Sequence, residues 1–505
     1  MKKVKILLGI LALSIGTLAY AQTTQASITG KVTGAGKTAQ EKVKVTIINE
    51  STGFRSETET NSKGEYIFKE IPLGGPYTVI VNEDKKQGYN VNFGDQVTVN
   101  MSLDKSEEKN IEEVVITGNL KNKIGNLGAA TAITAKNIGI LPVNGRNFTS
   151  LTELSPLSGK NGNLSGQLGS STNFTIDGMT AKNPTSAGAT TSRSGAPFSI
   201  SIEAVREFKI TTNQYDVTLG RSGGGTVSAV TKSGTNTFSG SAWEYLRTNW
   251  LSSPYDIRGN KRTNDFSTSQ FGFSLGGPII KNKLHFFAAW DHQLDSRPLI
   301  IADVKTPADE LRLNINNATL NKFLDIARTK YGVGNTPQFG TFDKVRNSDA
   351  AFLRLDWQIN PKHLLTLRNN FTFDNNKNGL GDNTAINFFE SYGNDKNLDN
   401  SLLLTLRSNL KPNVTNELKA QYLYTYQDSY QNDELGHAVP RAIVENILTP
   451  IDGVNKATNI QIGGHRFAQE SFKNNVFQIV DNLYYNTDKI KYTFRSEEHT
   501  SELQS

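Results

Sequence analysis

From Thr237 to Phe494 apolar and polar residues alternate with period two, in segments of about ten residues. AFLRLDWQI sets Leu353, Leu355, Trp357 and Ile359 against Arg354, Asp356 and Gln358. LLTLRNNFTFD sets Leu365, Leu367, Phe371 and Phe373 against Thr366, Arg368, Asn370 and Thr372. NELKAQYLYTY sets Leu418, Ala420, Tyr422, Tyr424 and Tyr426 against Glu417, Lys419, Gln421 and Thr425. Successive side chains of a strand point to opposite faces, so each segment specifies one apolar and one polar face. Eight such strands are expected near 237–246, 266–277, 284–292, 350–359, 363–373, 401–410, 416–427 and 473–485, with a ninth from Ile490. PIIKNK, NPKH, KPNVT and NTDK are short connections, and those between them run to tens of residues. Alternating strands joined by short turns on one side and long loops on the other specify a transmembrane β-barrel wall. Trp357 and Tyr424 suit the aromatic girdle of such a wall.

Composition narrows the remaining classes. The 505 residues include no cysteine, which removes disulfide frameworks and thiolate metal sites. Mean hydropathy is −0.43, and after Ala21 no apolar run is long enough for a helical span. A barrel is compatible with that value, because half of each strand faces a polar interior. The net charge is +6, with lysines at 2, 3 and 5 and no basic block, so no nucleic-acid partner is expected. Histidines at 285, 292, 363, 437, 465 and 499 form no H-E-x-x-H pattern. No catalytic cluster is legible, and the chain is not expected to be an enzyme.

Both ends carry special segments. MKKVKILLGILALSIGTLAYAQ has a charged start, an apolar run from Ile6 to Ala19, and Ala19-Tyr20-Ala21. These are the parts of a secretory signal peptide, residues 1–21, and the mature chain is expected to begin at Gln22. At the other end RSEEHTSELQS, residues 495–505, is polar and helical in tone. It resembles the in-frame translation of a common sequencing-library adapter. On that reading it is not native, the chain is a fragment, and the tail should pack against nothing.

Between Ser27 and Leu103 lie SITGKV, VKVTIIN, GEYIFKEI, PYTVIVN and VTVNMSL, separated by turn signals. Short strands at this spacing predict a small β-sandwich. The pattern through NSKGEYIFKEIPLGGPYTV resembles the carboxypeptidase-regulatory-like domain family. Residues 27–103 contain no histidine, so the module is read as non-catalytic. The charged linker DKSEEKN leads into IEEVVITGN. An extended, β-branched segment of this kind can add to a sheet edge through main-chain hydrogen bonds. It resembles the box by which outer-membrane receptors engage the energy-transducing protein TonB. The resemblance carries over to Glu113, Val114, Val115, Ile116 and Thr117, within a linker and box at 104–118. The alternative is that these residues are simply the first strand of the next domain.

GRSGGGTVSAVTKSGTN is dense in glycine and carries a lysine beside a serine, yet Thr231 precedes Lys232, so the phosphate-loop pattern fails. LPVNGRNFTSLTELSP, NFTIDGMTAKNP and SIEAVREFKITTNQYDVTLGRSGGGTVSAVTKSGTNTFSG follow one another in an order that resembles the plug of TonB-dependent outer-membrane receptors, most closely the Oar-like group. The resemblance implies a mostly β chain: a small sandwich, a plug domain at 119–236, and a partial antiparallel transmembrane barrel at 237–494. It implies uptake of an unidentified ligand through the outer membrane, with TonB and outer-membrane lipid as partners. Asp177-Gly178 is read as a tight turn of the plug. Gly223, Gly224 and Gly225 are read as positions of positive φ and close backbone approach, near the passage to the wall.

A SusC-like glycan importer shares the N-terminal module, but its box is typically followed by GYG, and TGNLKNKIG stands here. An adhesin or secretion-linked barrel without import is the other alternative. No cofactor is implied, apart from a candidate calcium loop in DNNKNGLGD. There Asp374, Asn376, Asn378 and Asp382 match ligand positions, while Ala385 occupies the place of the bidentate glutamate. The sheet is expected to stay open around the plug, because eight strands enclose too little space for a domain of that size.

Overall fold

The structure is a computed structural model. It describes residues 26–103, 130–134, 199–212 and 225–504 apart from 256–258, 260, 262–264, 336, 436–438 and 489, together with Gly223 and most of 152–181.

The N-terminal module is a sandwich of two sheets. Its strands are β1 Ala26–Thr33, β2 Lys44–Asn49, β3 Arg55–Glu59, β4 Glu65–Ile71, β5 Gly74–Val81, β6 Asp84–Val91, β7 Gln96–Thr98 and β8 Met101–Ser102. One sheet runs β4-β1-β7 with β8 also on β1, and the other runs β3-β2-β5-β6. Alternate residues such as Val45, Ile47, Val79 and Val81 turn inward and meet Phe68, Ile28 and Tyr77 in a fully apolar core.

The second unit is a five-stranded sheet ordered β11-β10-β13-β12-β9. It is built from β9 Ala130–Thr134, β10 Thr172–Ile176, β11 Met179–Thr180, β12 Val205–Thr211 and β13 Gly225–Thr231. Every residue of β10 and β13 is buried, as expected where both faces of a sheet are covered. The cover on one side is the wall.

The wall is a nine-stranded antiparallel sheet. Its first members are β14 Ser239–Thr248, β15 Ser267–Ile280 and β16 Leu284–Ile301. Helices α1 Pro307–Leu313 and α2 Asn317–Tyr331 intervene before β17 Gly340–Asn360 and β18 His363–Leu380. After the short β19 Ile386–Asn387 come β20 Gly393–Lys411 and β21 Val414–Tyr430. A hairpin of β22 Arg441–Ile451 and β23 Val454–Gly463 precedes β24 Glu470–Asn486 and β25 Lys491–Gln504. β14 and β25 are the two edges, so the wall is an open sheet.

All nine expected strands are present, and several are longer than expected. Their apolar faces point outward. Leu353, Trp357, Leu367, Leu402, Leu404, Leu418, Tyr422 and Phe477 are exposed, while Arg368, Asn370, Thr372, Glu417, Lys419, Gln421 and Gln478 are buried on the inner face. Lipid on one side and a polar interior on the other require this polarity.

One expectation needs correction. The tail does not stand apart. Arg495–Gln504 continues β25 along β24, from Asn486↔Lys491 to Lys473↔Gln504. An edge strand presents unpaired N–H and C=O groups, and main-chain pairing asks little of side-chain identity. The long connections carry elements of their own. Thr306 and Asp309 form a reciprocal cap with Pro307 in the first turn of α1. The two helices and the hairpin share a small core around Ile315, Leu320, Phe388 and Ile460.

Candidate plug seam and coupling site

Asp177 and Gly178 join β10 to β11 with φ of 51° and 80°. Both values lie in the left-handed region that two-residue hairpins use and that Asp-Gly supplies. The turn also presents a carboxylate. Asp177 accepts from Thr231 N and Thr231 Oγ1, each at 2.9 Å. Arg368 Nε lies 3.5 Å from Asp177 Oδ2, and Arg354 Nη1 lies 3.9 Å from Asp177 Oδ1. Arg354 is held in turn by Asp356 at 2.9 Å and donates to Thr231 Oγ1 at 2.9 Å. A plug turn is thus clamped between two arginines of the wall's inner face.

The rest of the seam has two characters. Toward β16 and β17 it is apolar: Phe287, Ala289 and Phe352 join the plug core around Phe208, Ile210 and Val227. Toward β18 and β21 it is polar. Asn370 Nδ2 donates to Ser199 O at 3.0 Å, and Gln421 Nε2 donates to Thr180 O at 2.9 Å. A cavity of about 10 Å³ lies there against Thr180, Ser199, Arg368, Asn370 and Gln421; one water needs roughly that much space. Arg354, Arg368 and Gln421 were not singled out from the sequence as seam residues. The available signal was their place on the polar face of alternating strands.

The glycines divide. Gly225 has φ +137°, and a Cβ there would lie 2.6 Å from Thr211 O and 2.9 Å from Leu164 Cδ1. It opens the central strand of the plug sheet, so the close approach is inside the plug rather than at the passage to the wall. Gly223 has no such requirement; its Cβ would meet Ser171 Cβ at an ordinary 3.4 Å. Gly224 lies outside the described residues. Glu113, Val114, Val115, Ile116 and Thr117, with the linker and the signal peptide, also lie outside them.

DNNKNGLGD is not a loop along its first half: Asp374, Asn376 and Asn378 belong to β18. Strand geometry sends Asp374 and Asn376 to one face in a row instead of wrapping them around a point, and Asn378, with φ 56°, sits in the bulge that follows. Asp374 is occupied by Arg346 Nε at 2.9 Å and Ser348 Oγ at 2.6 Å. Asn378 N donates to Asn394 Oδ1 at 2.9 Å. Asp382 is engaged by Arg441 Nη2 at 2.6 Å and lies 3.4 Å from Arg466 Nε. Among the described residues no group of three or more acidic or histidine side chains could hold a metal ion.

A strand wall with a lipid-compatible exterior, packed against a separately folded sheet, has the arrangement of part of a plugged outer-membrane barrel. Residues 230–314 match the family model described as outer membrane beta barrel domain. Residues 27–106 match the carboxypeptidase regulatory-like domain. Over 161 residues the chain is 35% identical to the TonB-dependent transporter Oar of Myxococcus xanthus, a match covering 29% of this chain and 14% of that protein. Among solved structures it resembles the outer membrane transporter YddB of Escherichia coli, with TM-score 0.49, 13% identity, and coverage of 74% of this chain and 48% of that one. A ferric enterobactin receptor (PfeA) mutant of Pseudomonas aeruginosa gives TM-score 0.46, 12% identity, and coverage of 76% and 50%. The chain spans about half the length of these solved structures. Over those 161 residues it is similar to the Oar transporter, and with the outer membrane beta barrel domain match this indicates an outer-membrane location.

Proposed function

We propose that this chain is part of a TonB-dependent outer-membrane receptor that imports an unidentified ligand and performs no catalysis. The observation that carries the reading is the polar half of the plug seam. Asp177, Ser199 and Thr180 meet Arg368, Asn370 and Gln421 through side-chain contacts to a rigid strand wall. Polar bonds of this kind exchange with water at a net cost of about 1 kcal/mol each, so a pulled plug can leave the wall without exposing a large apolar face there. The puller is TonB, engaging Glu113 to Thr117 by strand addition. Val115→Pro removes one N–H and should break that pairing. In the full-length protein, capture by the soluble periplasmic domain of TonB is expected to be lost with this variant and kept with Val115→Ile. Unchanged capture of the proline variant would place the coupling segment elsewhere.

A further inference from the structure

The short-turn mouth of the wall is occupied by the N-terminal sandwich, which reaches all four short turns. Thr58 Oγ1 donates to Pro412 O at 2.5 Å in the β20–β21 turn. Ser62 Oγ donates to Asp488 Oδ2 at 2.6 Å, and Lys63 Nζ to Asp488 O at 2.9 Å, in the β24–β25 turn. In the β15–β16 turn, Asn282 approaches Gly53 so closely that a Cβ on Gly53 would fall 2.4 Å from Asn282 Cβ. Leu364, just past the β17–β18 turn, packs on the sandwich core.

Deeper in the mouth, lumen-facing wall residues grip the sandwich backbone. Arg407 Nε and Nη2 donate to Lys69 O at 3.1 and 2.7 Å, and its guanidinium lies over the Phe54 ring at 5.5 Å. Asn409 Nδ2 donates to Glu57 O at 2.5 Å. The sandwich reaches the plug as well. Phe93 N donates to the Glu207 carboxylate, Lys209 lies 5.6 Å over the Phe93 ring, and Val230 of β13 joins the sandwich core.

We propose that the sandwich is a second stopper, seated at rest in the periplasmic mouth beneath the plug, which must unseat before anything leaves past the plug. The inference rests on the receptor reading for the direction of passage. A domain that merely trailed on its linker would not place wall side chains on its own carbonyls at two strands, nor share its core with Val230 and Leu364. The seat also has sequence logic. Glu113 to Thr117 lies in the chain between sandwich and plug, so tension applied there acts on both stoppers.

Residues 1–505 contain no cysteine, so S62C/D488C can form one disulfide within them, and each single variant controls for any cysteine elsewhere in the full-length protein. In outer membranes from cells making the full-length double variant, most molecules are expected to shift on a non-reducing gel, and neither single variant should. Adding R407A, which removes two donors without touching the cross-linked pair, should lower the yield several-fold. Failure of the double variant to cross-link, or a yield indifferent to R407A, would overturn the seating and leave the receptor reading intact. The stopper role is read with potassium chloride current through the purified double variant in a planar bilayer, using urea to loosen the plug. The oxidised protein should stay closed to higher urea than the reduced one. Equal currents in the two states would overturn the role.

Discussion

The sandwich and the wall are both sheets of alternating strands, yet they are turned inside out with respect to each other. In β2 and β5 the apolar alternates, Val45, Ile47, Val79 and Val81, are buried against one another. In β18 the buried alternates are Arg368, Asn370, Thr372 and Asp374, while Leu367 is exposed. Period two therefore reports that a strand has two environments without reporting which one is inside. Loop lengths supply the missing sign. Short turns on one side and long connections on the other belong to a wall crossing a bilayer, and β1 to β8 show no such asymmetry.

The contrast can be broken from either side. Phe68→Ala empties a position that is 2% exposed and packs edge-on against Tyr66 at 6.0 Å. A loss of about 3–5 kcal/mol is expected for such a truncation, read as a lowered urea midpoint of the sandwich transition. On the wall the equivalent injury is a charge facing lipid rather than a hole. Phe371→Arg, on the outward face of β18, should cost about 2–4 kcal/mol if it lies near the bilayer centre, measured by folding into lipid vesicles. Phe371→Leu at the same position should cost much less. A penalty as large for leucine as for arginine would show that Phe371 does not face lipid.

A third effect lies where the two regions meet. Glu70 is buried in the seat, facing Glu417 and Lys419 of β21, Tyr484 of β24, Arg407 of β20 and its neighbour Lys69. Burial first, then the Glu417 carboxylate, pushes its carboxyl up to about 8 from 4.5, with Lys419 and Lys69 opposing. The seated form therefore binds the proton more tightly than the free form. Its stability is full below about 4.5 and is lost as pH rises through about 8. Melting of the seated sandwich should fall between about pH 5 and about pH 9, and Glu70→Gln should flatten that fall. An unchanged slope in the glutamine variant would assign the pH response to another group.

Much of the architecture was legible because water and lipid impose it locally. The wall strands, their short turns and the Asp177-Gly178 hairpin each follow from a few neighbouring residues. The extensions did not show. β16 runs on to Ile301 and β17 begins at Gly340, where SRPLII and GTFDKV no longer alternate. DNNKNGLGD looked like a loop because asparagine and glycine disfavour strands, yet pairing with β17 and β20 overrides that preference. The seat of the sandwich was invisible for a different reason. Its acceptors are main-chain oxygens, those of Lys69 and Glu57, and a carbonyl leaves no mark in a sequence. Helix α1, which starts at the Thr306-Asp309 cap, was not expected from the sequence.

The order of the plug sheet has a mechanical consequence. Among the described residues, β9 is the strand of the plug nearest the candidate box in sequence and an edge of the sheet, paired with β12 alone from Ala130↔Thr211 to Thr134↔Glu207. Under the proposed pull on the box, the strand that would take the load is thus the one that can come away alone. Had the chain entered at β13, between β10 and β12, a pull would have had to shear two ladders together. Entry at the edge makes the plug a garment with a loose thread: under the proposed pull one short row of bonds would go first, drawing Ile133 out of the core around Phe208 and Val227.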